Sequence, residues 1–234
     1  MTWKDDVYVE LLRYTEENEM VEFTLEQFYD HAEDRLAAKY PDNDYVRAKI
    51  RQILQRLRDD GQLEFVDDDG TYRFVELDEA FTREYGVTDY EVTDSEVTDH
   101  AATERTVETT RYPMPQSVRV EALQRYDKTC LLTDVDLPEL LDAAHVVPRS
   151  EYPSEIRNPE NVMVLNKLHH EAFDRDLFTI DTDYRVRVNP SLSTDSGFLH
   201  DSLVSADGER VESPDSASLD RDLLAERNAE LAWA

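Results

Sequence analysis

Three near-copies of a five-residue unit, VTDYE, VTDSE and VTDHA, run consecutively from Val87, inside a stretch that Thr, Asp and Glu dominate up to Thr110. Apolar side chains this sparse, diluted by so many acids, cannot bury a core, and the like charges extend the backbone. Tyr112-Pro113-Met114-Pro115 closes the stretch. The 234 residues therefore cannot make one continuous globule. They divide into a first block at 1–76, an acidic linker at 77–112 and a second block at 113–234, and each block is long enough for one small domain.

Acidity is not confined to the linker. Asp and Glu number 54 against 25 Lys and Arg, for a formal net charge of −29. A disordered chain of that charge would lack apolar periodicity, yet both blocks carry it. The charge is instead read as a surface fitted to concentrated salt, where a Debye length of roughly 3 Å at 1 M leaves neighbouring carboxylates hardly repelling one another. Lysine occurs only at positions 4, 39, 49, 128 and 167, and the other bases are arginine. This usage resembles that of salt-adapted archaeal proteins. Cys130 is the single cysteine, so neither an internal disulfide nor a CxxC zinc site can form. No apolar run approaches the roughly 20 residues a membrane helix needs, and the first residues lack the apolar core of a signal peptide. The expectation is a cytoplasmic protein with no membrane partner.

In the first block, Val7, Leu11, Leu12 and Tyr14 recur at helical spacing. Thr24 and Gln27 make a capping box ahead of Leu25, Phe28 and Leu36, and Pro41 ends that segment. Asn43 or Asp44 is expected to cap a third helix that reaches Asp59 and stops at Gly61. Leu63 to Val66, a turn at Asp67-Asp68-Asp69-Gly70 and Thr71 to Val75 read as a hairpin. Three helices followed by a two-stranded wing is the order of a winged helix.

The third helix breaks the charge pattern. Between Asp44 and Asp59 lie five bases and no acid. At 100° per residue Val46, Ile50, Ile53, Leu54 and Leu57 share one arc. Arg47, Arg51, Gln55 and Arg58 flank it on one side, and Lys49, Gln52 and Arg56 on the other. Arg and Gln are the side chains that read guanine and adenine edges in a major groove, so this face is expected to bind double-stranded DNA. The competing reading is a solvated face whose arginines pair with nearby carboxylates. Tyr40 to Asp59 and the following Gly61 to Phe65 resemble the winged-helix domain of methyladenine-dependent restriction enzymes. That resemblance covers roughly residues 20–75 and implies duplex reading, with modified adenine as one target.

The second block is expected to hold a helix at Val118–Tyr126, short strands around Cys130–Leu132 and Leu140–Val147, a Pro-rich loop, a helix around Asn166–Phe173, a strand near Leu177–Ile180 and a last helix from about Asp220. Three of the six histidines, His145, His169 and His170, fall close together there. Asp142-Ala143-Ala144-His145-Val146-Val147-Pro148, then Asn161-Val162-Met163-Val164-Leu165, then Leu168-His169-His170-Glu171-Ala172-Phe173-Asp174 resemble the HNH motif of the ββα-metal nucleases. The match is to the branch with A-H-V-x-P, an Asn before an apolar run, and H-H-x-x-F-D. It implies that His145 is a general base taking a proton from water, that His170 is a metal ligand, and that Asn161 holds the loop and orients His145. One divalent cation per site, Mg²⁺ or Mn²⁺, would polarise the phosphate and stabilise the leaving oxygen.

Departures from the pattern qualify it. Many HNH enzymes carry an Asp or His ligand where this chain has Ala144. Asp174, four residues after His170 on the same helix face, and Asp142, two residues before Ala144, are the candidates to replace it. His169 reads equally as a core residue or as a support to the site, and His31, His100 and His200 read as structural. Arg149, Arg157 and Arg175 could clamp a phosphate or pair with nearby acids. The whole chain is thus read as α+β, a winged helix joined by an acidic linker to a ββα-metal (HNH) domain. The expected activity is a site-specific, restriction-type DNA endonuclease, with dependence on base modification left open and duplex cleavage calling for a homodimer. A winged-helix regulator with an inactive HNH domain, and a homing or nonspecific nuclease, are the alternatives. The chain lacks a nucleotide-binding glycine loop, which argues against a motor within it.

Overall fold

A computed structural model of the protein describes residues 2–67, 70–75, 79–85, 114–214 and 217–233. They pack as two compact bodies, one built mainly on residues 2–82 and the other mainly on 114–233. Mixed helix and strand content makes the chain α+β.

In the first body, α1 (Trp3–Asn18) begins at a capping box between Thr2 and Asp5. After β1 (Glu22–Thr24) comes α2 (Leu25–Lys39), whose Thr24–Gln27 capping box is the one its sequence announces. The basic helix α3 spans Val46–Asp59. Its first cap differs from expectation: Tyr45 is the N-cap residue and makes no side-chain cap bond, while Asn43 Oδ1 accepts from the Tyr45 amide (2.8 Å). The Asx turn absorbs the polar side chain one step before the helix starts. β2 (Leu63–Phe65) and β3 (Thr71–Phe74) form the wing, with Asp67 Oδ1 accepting from Thr71 N–H (2.9 Å); Asp68 and Asp69 of the expected turn lie outside the described residues. β1 adds to the wing as a third strand, giving the antiparallel order β1-β3-β2. Three residues are too few to announce a strand by alternation, which is why β1 is absent from the sequence reading.

The core of this body is aromatic and aliphatic: Tyr8, Leu11, Leu12, Phe23, Phe28, Ile50, Leu54 and Leu57 are all buried. Buried charges are paired. Asp6 accepts from Lys39 (2.6 Å) and from the Tyr40 hydroxyl, and Glu10 accepts from Arg13 (2.9 Å) and Arg35 (2.6 Å). Residues 79–85, assigned to the linker on composition, instead carry a helix, α4 (Glu79–Tyr85), whose Phe81 is buried against Tyr8 with ring centroids 4.7 Å apart. One aromatic ring among acids is enough to dock a short helix, and composition averaged over the window hides it. The repeat from Val87 to Ala101, with His100, and the acidic stretch that continues to Thr110 lie outside the described residues.

The second body starts with α5 (Gln116–Arg125). Residues 131–133 make a turn where a strand is expected: the Leu131 amide bonds to the Val164 carbonyl (2.8 Å), and Cys130 Sγ accepts from Asn166 N–H (3.2 Å). β4 (Leu141–His145) and β5 (Val162–Asn166) pair antiparallel in the register Leu141↔Asn166 to His145↔Val162. The helix α6 (Lys167–Asp174) follows β5 directly, so strand, strand and helix make one compact ββα unit. Beyond it lie the β6 (Phe178–Ile180) and β7 (Val186–Val188) hairpin, α7 (Gly197–Ser202) and α8 (Arg221–Glu230).

Candidate functional site

β5 is buried at every position, and β4 buries Leu141, Ala143 and Ala144. That leaves Asp142 and His145 as the half-buried polar residues of β4. His145 ends its strand. Its Nε2 lies 2.9 Å from the Ile156 carbonyl oxygen. A carbonyl can only accept, so Nε2 carries the proton and donates, and Nδ1 keeps its lone pair. Burial pushes the pKa of His145 below the ordinary histidine value; the Ile156 bond opposes this, and the charges of Arg149 and His170 add to it. The ring is therefore neutral at neutral pH, with one nitrogen ready to accept a proton.

Asn161 is 1% exposed, and its contacts explain why a polar side chain is tolerated there. Its Oδ1 accepts from Val147 N–H (3.0 Å), its Nδ2 donates to the Glu155 carbonyl (3.0 Å), and its own carbonyl accepts from Val146 N–H (2.8 Å). These bonds fasten the end of β4 to the start of β5 and close the intervening loop onto itself. Since Glu155 precedes Ile156, the same clip fixes the carbonyl that orients His145.

α6 opens on Asn166, whose side chain caps the helix by accepting from His169 N–H (2.9 Å). His169 is fully buried between Asn166 Nδ2 (3.1 Å from Nδ1) and Ser202 Oγ (3.1 Å from Nε2), and burial lowers its pKa. It is a core residue that ties α6 to α7. His170, the next residue, turns the other way. Asp142 Oδ2 stands 3.2 Å from its Nδ1, and Asp174 Oδ2 stands 3.5 Å from its Nε2. Burial alone would lower the pKa of His170, but the Asp142 hydrogen bond and both carboxylate charges outweigh it and raise the value. The same bond holds Asp142 below the usual carboxylate range, helped by the Arg119 guanidinium 3.5 Å away.

Among the described residues no three His, Cys, Asp or Glu side chains gather as a ready cation cluster. The donor set around His170 nevertheless suits a hard divalent cation. Asp142 occupies Nδ1, as a carboxylate supporting a ligating histidine does, and leaves Nε2 facing Asp174. Two protein donors plus oxygens of a substrate phosphate and water match what such cations accept. Asp142, expected as a candidate metal ligand, holds His170 Nδ1 through one oxygen and lies 3.5 Å from Arg119 through the other. The Ile156 carbonyl, central to the orientation of His145, carries no sequence signal because every residue has one.

On α3 the predicted interface residues separate into two groups. Arg47 bonds Glu33 (2.8 Å), reaches Glu26 (3.4 Å) and lies over the Tyr29 ring; Arg58 bonds Asp59 (2.7 Å) and lies over the Phe65 ring. Lys49 is half-buried and Gln52 exposed, and the two bond each other (3.2 Å). Arg51 and Arg56 are exposed without an ion pair among the described residues, and Gln55 is half-buried beside them. All seven sit outside the buried arc of Val46, Ile50, Ile53, Leu54 and Leu57.

Comparison with protein families agrees with this division. Residues 4–74 match the family described as the Dam-replacing HTH domain, and residues 130–181 match the family described as HNH endonuclease. The second match spans β4, β5 and α6 with His145, Asn161 and His170. No curated protein matches the chain.

Proposed function

We propose that this chain, which carries an HNH endonuclease domain behind a Dam-replacing HTH domain, is a site-specific restriction-type endonuclease that hydrolyses DNA phosphodiester bonds. The observation that carries the proposal is the setting of His145: an imidazole whose Nε2 is tied to a main-chain carbonyl, in the same ββα unit as a second histidine bracketed by two carboxylates.

In the proposed step Nδ1 of His145 takes a proton from water as the water oxygen bonds to phosphorus. The P–O3′ bond breaks, and the 3′ oxygen acquires its proton from solvent, leaving a 5′ phosphate and a 3′ hydroxyl. Asn161 keeps the loop closed so that Ile156 holds the base in one orientation. His170 Nε2 and Asp174 would hold one Mg²⁺ or Mn²⁺, with Asp142 fixing the His170 ring. When bound, that cation supplies positive charge to the phosphate and to the leaving oxygen.

Sequence reading is assigned to α3. Arg51, Arg56, Lys49, Gln52 and Gln55 are in place to meet base edges and phosphates, and Arg47 and Arg58 would have to exchange acidic partners for DNA. The family match makes adenine-methylated DNA the first target to test. One such site cuts one strand, so duplex cleavage requires two copies of the chain. The composition suits a cytoplasm rich in salt.

Plasmid cleavage decides the matter. Wild-type protein and His145→Ala are incubated with adenine-methylated and unmethylated plasmid, Mg²⁺ or Mn²⁺, and potassium chloride from dilute to molar. Discrete fragments that vanish with His145→Ala are expected. DNA that is retarded on a gel but uncut would replace the endonuclease by a binding regulator, and a smear would remove site specificity.

A further inference from the structure

Three arginines of the second body lie near the proposed centre in sequence, and their partners separate them. Arg175 is exposed and bonds Glu171 (2.5 Å) one turn back on α6. Arg157 donates to Ser117 Oγ (3.1 Å). Arg149 stands apart: it is half-buried in the loop after β4, its Nη1 is shut off from solvent, and that nitrogen has no hydrogen-bond partner among the described residues. A guanidinium is always charged, and a buried N–H without an acceptor costs roughly 1–3 kcal/mol, more when the group is charged. Such a group persists when something outside the protein completes it.

Its position says what that is. Arg149 lies four residues beyond His145, within Ala143 to Ser150, where no acid occurs in a chain that has 54 of them. Its positive charge acts on both His145 and His170, the two histidines that bracket the reacting position, and pushes each of them down. A cation whose charge reaches both the general base and the metal-ligand histidine, with a buried Nη1 and no ion pair to a carboxylate among the described residues, is a docking point for an anion. We infer that Arg149 binds the scissile phosphate directly, its guanidinium donating to a non-bridging oxygen and stabilising the charge that grows there as water adds. This rests on the endonuclease reading. Arg149 forms and breaks no covalent bond; the proton still passes from water to His145.

Arg149→Ala, Arg149→Lys and His145→Ala are compared with wild type for single-turnover cleavage, DNA affinity and thermal midpoint. Arg149→Ala should cut at least about 100-fold more slowly, the scale of losing one donor to a transition-state oxygen, while DNA affinity falls no more than about threefold, because the winged helix supplies most contacts. Arg149→Lys should recover part of the rate, and free guanidinium ion added to Arg149→Ala should recover more. A merely structural arginine would show neither rescue. Arg149→Ala cutting within about threefold of wild type overturns the inference while leaving the endonuclease standing. Should wild type and His145→Ala fail alike to cut, the endonuclease reading falls, and inorganic phosphate decides the site by itself. A saturable shift of the Arg149 Nε–H resonance, absent in Arg149→Lys, supports a phosphate site, and no shift overturns it.

Discussion

Burial holds the imidazole of His145 below the ordinary histidine range, so it keeps its lone pair to lower pH than a free histidine would. The acid limb of cleavage is therefore expected to have its midpoint below 6.5, read from single-turnover rates across about pH 5 to 8. A midpoint above 7 would contradict the assignment. His170 is raised instead, so protons compete with a cation for it to higher pH than on a free histidine, and Mn²⁺ affinity should weaken as pH falls. Calorimetric titration at two pH values checks this. In the first body His31, beside Glu10, Glu17, Arg13 and Arg35, is lowered to about 4, first by burial. A histidine that stays neutral when folded and titrates near 6.5 when unfolded stabilises fully above 6.5 and loses that contribution as pH drops toward 4. His31→Gln should flatten this part of the curve of thermal midpoint against pH.

Among the elements, the loop between β4 and β5 is the one most dependent on a single side chain. Asn161→Ala would leave Val147 N–H and the Glu155 carbonyl without partners, for a loss of about 1–3 kcal/mol of stability in denaturant unfolding. Cleavage should fall further than stability, because the carbonyl that orients His145 belongs to the same loop. On α3, Arg51→Ala should weaken DNA binding and reduce the slope of log affinity against log salt by about one. Arg47→Ala should do less, since its guanidinium is already occupied by Glu33 and Glu26. Much of this was legible beforehand. The Thr24–Gln27 capping box, the apolar arc of α3 and the spacing of His145, Asn161 and His170 are local patterns, and local patterns survive in sequence. What could not be read depends on partners distant along the chain. Asp142 meets His170 across the ββα unit, Phe81 finds Tyr8, and residues 131–133 become a turn pinned on Val164. His169 and His170 look equivalent as letters, and only their opposite directions from α6 separate core from site.

For the molecule as a whole, the charge of −29 on 234 residues is the dominant property. The buried acids of the first body are paired, so among its described residues the unpaired excess lies outside the core, where screening governs its cost. Transfer from molar to millimolar potassium chloride should lower the thermal midpoint by more than about 5 °C, the shift that roughly 1 kcal/mol produces in a domain this size. Differential scanning calorimetry over a salt series measures it, and a midpoint indifferent to salt would remove the high-salt reading. Binding is expected to respond in the opposite direction, since salt weakens the phosphate term, and base contacts from α3 must then carry more of the selectivity.

The loop between Val147 and Asn161 is anchored by what all amino acids share. Asn161 and His145 hold it through the Val146 and Val147 amides and the Glu155 and Ile156 carbonyls. Its own side chains at 155 and 156 can therefore drift by mutation without disturbing the proton acceptor beside them, and proline at 147 is the change this anchoring forbids. Natural variants that differ in what this loop presents to DNA should arise readily, each inheriting the same reaction centre.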